Sequence, residues 1–261
     1  NTIHSLSTPE SKRAQGIWLG KIKNSSISNN RVYKVDNNAV MLLDSSDNLI
    51  KGNQLYESLR GIHLGEAVEN TIQSNELIQN EDVGVGLWKS DENELVSNQV
   101  EDNKNSGMRI SGSSNGTVRD NVVSGNGHRG IGVLPVWNED HSEIVQPATD
   151  NEILNNSIIN NQRAGVHLQG SDNLVKDNEI REHGWFGISS WGEETPRGNT
   201  IADNEISGTY VETERGDADR IYGMGLYLHG LNPMVEDNYV HNNAFGIIAG
   251  SKEGVTIRGN T

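Results

Sequence analysis

The stretch GIHLGEAVENTIQSNELIQN, residues 61–80, contains the sequence repeat that decides the fold, called the phrase below. After the opening glycine, apolar Ile62 and Leu64 alternate with other residues, and asparagines then return at short intervals around single apolar residues. This alternation has the two-residue period of a β-strand, and no segment shows the apolar stripe of a helix. The stretch therefore predicts three short strands separated by bends.

The same phrase recurs along the whole chain. Its opening small residue, followed by an apolar one, occurs at Gly16, Ala39, Gly61, Gly84, Gly107, Gly130, Gly165, Gly187, Gly225 and Gly246. Where nothing is inserted, successive phrases lie 22 or 23 residues apart. A repeat of this length indicates a solenoid. Three short strands per repeat predict an all-β fold, a right-handed parallel β-helix of about ten coils.

The asparagines between the strands are interpreted as corner residues. Asn and Gly tolerate the left-handed backbone conformation that a bend requires. Stacked Asn side chains can also hydrogen-bond from one coil to the next. The whole chain, 1–261, is predicted to form one β-helix domain. Because it begins and ends inside a coil, it is expected to be a fragment, with further chain or domains at both ends.

Composition excludes several classes of partner. The chain has 36 acidic and 21 basic side chains, a formal charge of −15, so a nucleic acid partner is not expected. An acidic polysaccharide would also be repelled, unless basic side chains or bound cations intervene. The absence of cysteine excludes disulfides and thiolate metal sites. No apolar run approaches the roughly 18 residues of a membrane span, so none is expected.

The strand that opens each phrase carries the side chains that suggest a binding groove. Its second and fourth residues after the glycine are predicted to point outward. Down the chain these positions hold Trp, His, Arg and Tyr, separated by glycines, which is unlike a bland solvated sheet. Aromatic side chains can also stack along a sheet for stability alone. We interpret the two outward rows as the floor of a groove.

Two insertions interrupt the repeat, at 135–150 and at 209–221. The first follows an opening strand and the second precedes one. Both are therefore predicted to overhang the same sheet face from opposite edges, across coils six to nine. Long loops on a rigid scaffold are where binding and catalysis concentrate.

The outward rows and the insertions supply the candidate site residues. Flat rings stack on sugar faces and polar groups bind hydroxyls. The candidate substrate-binding residues are Arg109, Trp88, Trp137, Gln169, Ser189, Trp191 and His229. The candidate catalytic residues are His167, Tyr227, Asp140, His141 and Glu214. His167 or Tyr227 would be the base or acid of a lyase or epimerase, whereas a hydrolase would use one carboxyl from each insertion. Asp217 and Asp219 are candidate ligands of Ca²⁺, the one cofactor suggested.

The coils, for example NLVKDNEIREHGWFGISSW at 173–191, resemble the NosD-like right-handed β-helix repeat over essentially the whole chain. The resemblance implies the β-helix fold and relatives that include mannuronan epimerases, polysaccharide lyases, polygalacturonases and surface adhesins. Two catalytic sequence signatures of those relatives are not found in this chain. No Asp-Pro-His occurs, and Asn-Glu-Asp-His at 138–141 echoes it only superficially. Gly-His-Arg at 127–129 differs from the Gly-His-Gly of polygalacturonases.

Together these features predict a protein that acts on a polysaccharide or oligosaccharide in a groove on one sheet face. It would be a lyase, an epimerase or a glycoside hydrolase, located outside the cell, on its surface or in the periplasm. The alternative is a non-catalytic glycan-binding or structural β-helix. The clean repeat and the missing signatures favour the alternative, whereas two insertions that converge on an aromatic face favour an enzyme.

Overall fold

A computed structural model describes residues 1–7, 14–192, 195–209, 223–250 and 253–261. The regular structure in these ranges is entirely β-strand, and three parallel sheets of ten strands each hold all strands except one antiparallel pair. Each coil contributes one strand to each sheet, which confirms the ten-coil parallel β-helix. Within the same ranges, no helix is long and apolar enough to span a membrane.

The three sheets are named by the order of their first strands. Sheet one contains β1 (Thr2–Leu6), β4 (Arg31–Val35), β7 (Gln54–Tyr56), β10 (Glu76–Ile78), β13 (Gln99–Glu101), β16 (Val122–Ser124), β21 (Ser157–Ile159), β24 (Glu179–Arg181), β27 (Glu205–Ser207) and β30 (Tyr239–His241). Sheet two contains the phrase-opening strands β2 (Ile17–Gly20), β5 (Asn38–Leu43), β8 (Arg60–Gly65), β11 (Val85–Trp88), β14 (Met108–Ser111), β17 (Arg129–Leu134), β22 (Ala164–Leu168), β25 (Phe186–Ser190), β28 (Met224–Leu228) and β31 (Phe245–Ala249). Sheet three contains β3 (Ser26–Ser28), β6 (Leu49–Lys51), β9 (Thr71–Gln73), β12 (Glu94–Val96), β15 (Thr117–Arg119), β20 (Glu152–Leu154), β23 (Leu174–Lys176), β26 (Thr200–Ala202), β29 (Met234–Glu236) and β32 (Thr256–Arg258).

The interior is filled by the alternate apolar residues of all three sheets. In β8, Ile62 and Leu64 are fully buried, while His63 between them points outward. The register is constant from coil to coil, so that Ile62 pairs with Val85 and Leu64 with Leu87. Each buried aliphatic side chain of this kind stabilises the fold by roughly 1.5–3 kcal/mol.

Buried asparagines form hydrogen-bonded ladders that run along the solenoid axis. The longest ladder joins Asn30, Asn53, Asn75, Asn98, Asn121, Asn156, Asn178, Asn204, Asn238 and Asn260. The Asn98 Oδ1 accepts from the backbone N–H (3.0 Å) and the Nδ2 (3.0 Å) of Asn75. Its Nδ2 donates to the Ile72 carbonyl (2.8 Å) and to the Asn121 Oδ1 (3.0 Å). Because every donor and acceptor is paired, these amides can be buried without a desolvation penalty.

The ladder asparagines are not the residues that turn the corners. The positive φ belongs to the residue immediately before each one, such as Ser74 before Asn75 (φ 53°) and Asp120 before Asn121 (φ 58°). The interpretation of the repeated asparagines as left-handed corner residues is therefore wrong for the buried ones. Their role is to pair polar groups between coils, and the exposed residue in front of them adopts the left-handed conformation.

The phrase-opening glycines are required by space and not by backbone conformation. A Cβ on Gly84 would lie 2.4 Å from the Val100 Cγ1 and 2.9 Å from the Gly107 carbonyl oxygen. Both distances are shorter than real side chains tolerate. Glycine at this position therefore lets sheet one and sheet two meet closely at their common edge.

A histidine replaces asparagine in a second ladder, which runs between sheets one and two through Asn80, Asn103, Asn126 and Asn161. At coil eight, the His183 Nδ1 accepts from the Asn161 N–H (3.1 Å), and its Nε2 donates to the Ile158 carbonyl (3.2 Å). The imidazole thus accepts and donates as the amide would. Burial lowers the pKa of His183 to about 4, so the ring is neutral at pH 7.

The first insertion forms a hairpin on the edge of sheet two. Strands β18 (Val136–Trp137) and β19 (Ile144–Gln146) pair antiparallel directly after β17. The hairpin leans back over coil five, because a Cβ on Gly112 would lie 2.7 Å from Val136 and 2.8 Å from Gln146. The second insertion, apart from Thr209, lies outside the described residues.

Truncating a ladder amide should destabilise the whole solenoid. We expect Asn98→Ala to lower the free energy of unfolding by about 3–5 kcal/mol, because it leaves buried partners of four hydrogen bonds unpaired. Denaturant titration measures the change. The adjacent Gln99 is exposed, and Gln99→Ala should stay within about 0.5 kcal/mol of the original protein. Equal effects of the two substitutions would contradict the role of the ladder.

Acid should destabilise the protein through His183. Its pKa is about 4 in the folded chain and ~6.5 when unfolded. The neutral ring therefore stabilises the fold fully above pH 6.5, and this contribution is lost as the pH falls toward 4. We expect His183→Asn, which restores the amide ladder, to be about 3 kcal/mol less acid-sensitive over this interval. Parallel pH–stability curves for the two proteins would contradict this expectation.

Candidate functional site

The register of sheet two aligns the outward side chains in two rows. The first row contains Trp18, Met41, His63, Gly86, Arg109, Gly132, His167, Ser189, Tyr227 and Ile248. The second row contains Gly20, Leu43, Gly65, Trp88, Ser111, Leu134, Gln169, Trp191, His229 and Gly250. Neighbouring residues of one row lie about 4.8 Å apart, the spacing of adjacent strands.

A cavity of about 640 Å³ lies on this face, over coils three to six. The prediction placed the groove at coils six to nine, so the cavity is shifted towards the beginning of the chain. Gly86, which precedes Arg109 in the first row and has no side chain, is one of its lining residues. We call this cavity the arginine pocket. Its lining residues are Arg60, His63, Val83, Gly86, Leu87, Trp88, Asn105, Arg109, Ser111, His128, Arg129 and Leu134.

The arginine pocket is positively charged in a strongly acidic protein. Its lining contains three arginines and neither aspartate nor glutamate. Arg60 and Arg109 share one carboxylate, that of Asp82, at 3.0 Å and 3.1 Å. Arg129 is half-buried, and in the described ranges no carboxylate lies within 4 Å of its guanidinium. Burial and the nearby charges of Arg109 and Arg163 lower the pKa of Arg129 to about 10.

Arg163 extends the positive charge by one coil. Its backbone N–H donates to the carbonyl of His128, which places it immediately before β22, the strand next to the pocket. The guanidinium lies over the Trp185 ring, 4.5 Å from the ring centre. Stacking of this kind holds the cation in place without neutralising it.

Two histidines of the pocket are uncharged. Burial, then the charges of nearby arginines, lower the pKa of His63 and of His128 to about 4 each. The Nδ1 atom of each ring is buried and has no hydrogen-bond partner in the part of the chain that the structure describes. At pH 7 these imidazoles are therefore neutral groups, each with one free hydrogen-bonding position.

His167 lies at the border of the pocket, in register with Gly132. Only 2% of it is exposed. Its Nδ1 shares a hydrogen bond with the Ser189 Oγ (2.8 Å), and its ring meets Trp191 edge-on at 5.5 Å. The Nε2 has no partner among the described residues. Burial, then the charge of Arg129, lowers the pKa of His167 to about 3, so the ring is neutral.

The structure brings some of the predicted residues together and separates others. His167, Ser189 and Trp191 form one cluster, whereas Tyr227 lies two strands from His167, or roughly 10 Å. Tyr227 instead stacks on Phe186, with ring centres 5.3 Å apart. Gln169 and His229 continue the second row on either side of Trp191. Arg109 and Trp88 line the arginine pocket.

The residues predicted on the two insertions do not meet in the described structure. The Asp140 carboxylate is held at the hairpin tip by the N–H (3.2 Å) and Oγ (2.7 Å) of Ser142, which lowers its pKa. His141 is exposed beside it, and Trp137 is half-buried in β18. Glu214, Asp217 and Asp219 lie outside the described residues. The pairing of one carboxyl from each insertion and the Ca²⁺ site therefore stay predictions.

Sequence reasoning missed most of the charged lining of the pocket. Arg60 and Arg129 stand immediately before the phrase-opening glycines, where β8 and β17 have already begun. Strict alternation would place Arg60 on the inward side with Ile62, and Arg129 with Ile131. Both arginines nevertheless line the cavity, so the alternation does not continue across the phrase-opening glycine. The sequence did contain a pattern that links the two arginines, because Arg-Gly-Ile occurs both at 60–62 and at 129–131.

Solved structures similar to this chain are carbohydrate-active β-helices. A variant of the periplasmic alginate epimerase AlgG matches with a TM-score of 0.69 and 13% identity, over 98% of this chain and 58% of that one. The A-module of the Azotobacter vinelandii mannuronan C-5 epimerase AlgE4 matches with a TM-score of 0.63 and 16% identity, over 100% of this chain and 88% of that one. The catalytic domain of a GH87 alpha-1,3-glucanase matches with a TM-score of 0.62 and 13% identity, over 92% and 49%.

These identities show a shared fold alone. The chain also spans little more than half the length of the AlgG protein that it matches. No curated protein sequence matches the chain.

A copper ion does not fit the described side chains. The sequence profile described as periplasmic copper-binding protein (NosD) matches residues 4–162, and that of a right handed beta helix region matches 137–220. No group of three or more His, Cys, Asp or Glu side chains in the described ranges is placed to hold a metal. Met41 and His63 are neighbours in register, yet two donors beside Arg60 do not make a cation site. Because the NosD profile covers more than half of the chain, this protein belongs to the NosD family.

Proposed function

We propose that this protein binds a polysaccharide chain along the outward face of sheet two. The observation that carries the proposal is the 640 Å³ cavity on this face, together with the exposed indole rings of Trp88 and Trp191. Solvated sheet faces do not normally expose large aromatic rings beside a deep polar cavity. Flat rings next to convergent polar groups suit the alternating apolar faces and hydroxyl edges of sugars.

The two tryptophans set the direction of the groove. Both belong to the second outward row, at coils four and eight, so they lie roughly 19 Å apart along the solenoid axis. Arg109 and His167 lie between them in the neighbouring row. A ligand that contacts both rings must be extended and parallel to the axis. This requirement suits a polymer better than a single sugar.

The similar structures support a carbohydrate ligand. They include an alginate epimerase, a mannuronan epimerase and a glucanase domain in complex with nigerose. The family description and the epimerase AlgG are both periplasmic, which supports a location outside the cytoplasm. Asp217 and Asp219 remain the proposed ligands if the protein uses Ca²⁺, so binding is best screened with and without that ion.

Removing either groove tryptophan should weaken glycan binding. A glycan array, followed by calorimetry on the best ligand, measures the effect. We expect Trp88→Ala and Trp191→Ala each to raise the Kd about 3- to 15-fold, because each ring loses one stacked sugar. Tyr239 is equally exposed but lies on sheet one, so Tyr239→Ala is the matched control and should leave the Kd unchanged. Absence of binding across the array, with and without Ca²⁺, would refute the proposal.

A second candidate function is turnover of the bound chain, and His167 favours it. Its neutral imidazole is oriented by Ser189, and its buried Nε2 has no partner among the described residues. On the pocket side the ring is in register with Gly132, over which the Arg129 side chain lies. Histidine is the side chain that most often serves as a general base, and this one would need its low pKa raised by the bound ligand. The reaction type, whether elimination, epimerisation or hydrolysis, is open.

Substitution of His167 can distinguish an effect on turnover from an effect on binding. If the protein is an enzyme, we expect His167→Gln to lower kcat at least 100-fold while the Kd changes by less than about threefold. Ser189→Ala, which removes the hydrogen bond to the ring, should give a smaller loss of kcat with the same Kd. If the unmodified protein converts no glycan that it binds, the protein is a non-catalytic binder and this second candidate is wrong.

A further inference from the structure

We infer that the ligand of the arginine pocket is the anionic group of an acidic polysaccharide, held chiefly by Arg129. The inference rests on the proposed polysaccharide groove and specifies its substrate class. The anion would be a sugar carboxylate or a sulfate ester, since both offer oxygens to guanidinium groups. A neutral glycan would leave the arginine side chains of the pocket without an anionic partner.

The balance of charge in and around the pocket points to an anion. Three guanidinium groups, those of Arg60, Arg109 and Arg129, line it, and that of Arg163 lies near Arg129. The carboxylate of Asp82 is shared between Arg60 and Arg109. No ion pair joins Arg129 or Arg163 to another side chain of the described ranges. Among the described residues the positive charge of the pocket is therefore not fully compensated, and a bound anion would neutralise it.

Arg129 is the group that most needs a partner. A half-buried cation without a counter-ion is unfavourable, and the reduced pKa of about 10 reflects burial and two neighbouring guanidinium groups. The fold can contain this unfavourable cation because its stability comes from the amide ladders and the apolar core, and Arg129 belongs to neither. The planar guanidinium can donate two parallel hydrogen bonds to a carboxylate or sulfate. The ligand would thus supply the partner that the described chain does not.

The rest of the pocket suits a charged sugar ring more than a free ion. Gly86 lines the pocket beside Arg109 and has no side chain to fill it. His63 and His128 line the cavity with neutral imidazoles, and neutral polar groups of this kind suit hydroxyls. Trp88 lines the same cavity with an exposed ring. Cations for the anionic group, neutral polar groups for hydroxyls and a flat ring for the sugar face therefore occur together.

The overall charge of −15 does not exclude this ligand. At physiological ionic strength, charges more than about 8 Å apart in solvent are largely screened. Groups within the pocket therefore decide the interaction, while the distant acidic surface slows association only modestly. The objection that an acidic protein repels an acidic polymer applies to its average surface and not to this cavity.

Calorimetry with matched hexasaccharides tests the inference. The probes are oligomannuronate, oligoguluronate and oligogalacturonate, a sulfated carrageenan fragment, and neutral mannohexaose and cellohexaose. We expect at least one acidic probe to bind 10-fold or more tightly than both neutral ones. Comparison of uronates with the sulfated fragment distinguishes the two sources of charge.

Three variants test the role of Arg129. Arg129→Gln should weaken binding of the acidic probe about 10- to 100-fold, and Arg129→Lys should recover part of the loss because it restores the charge without the planar fork. Arg181→Gln removes an equal charge from sheet one and should have no effect on binding. Thermal unfolding of Arg129→Gln should occur at the same or a higher temperature, since the substitution removes an unpaired buried cation.

The outcomes separate the inference from the proposed function. Neutral and acidic probes that bind equally well, with Trp191→Ala weakening both, would retain the polysaccharide groove and overturn the anionic ligand. Binding of acidic probes that is unaffected by Arg129→Gln would also overturn it. If no glycan binds at all, the proposed function itself fails.

Discussion

The buried amide–amide hydrogen bond between successive coils is the interaction on which the structure depends. An asparagine such as Asn98 is placed in an apolar interior only because its oxygen and nitrogen are both fully paired with the coils before and after it. This pairing can be repeated only when each coil lies directly over the last. The ladders therefore impose the constant register of the three sheets, and the outward rows of sheet two follow from that register.

The same arrangement separates two kinds of charge. The corner positions in front of the ladder asparagines tolerate many residues, and acidic ones such as Asp177, Asp203 and Asp237 are frequent there. The positive groups Arg109 and Arg129 lie instead on the open face of sheet two. Acidic side chains thus lie at the corners, while arginines line the pocket on sheet two. Net charge alone would thus mislead about the ligand.

The sequence could predict the fold because its evidence is periodic. Spacing of the phrases predicts the coil count, and alternation of Ile62, His63 and Leu64 predicts which side chains enter the core. The sequence could not show why a repeated residue is required. Asn75 and Gly84 look like corner residues, yet one pairs polar groups between coils and the other permits close packing. Identity and spacing do not reveal which neighbour an atom contacts.

The site was less predictable for related reasons. The outward rows were visible, which is why His167, Trp88 and Arg109 could be named. The cavity was not visible, because it depends on the missing side chains of glycines between larger residues. Arg129 was overlooked because the strand begins one residue earlier than the repeat phrase suggests. Nor could the sequence show that the hairpin leans back toward coil five, since that depends on its contact with the backbone at Gly112.

The glycines of the first outward row also bear on how such a site can change. Gly86 leaves a side chain out of the pocket lining and Gly132 leaves room for the Arg129 side chain, while the strands beneath them are the same as in every other coil. A bulky residue at one of these positions and a glycine one repeat away would move the cavity along the rod without altering a single ladder. In this architecture, two substitutions can move or resize a binding site while the coils stay unchanged. Related proteins can therefore diverge in ligand and keep the same scaffold.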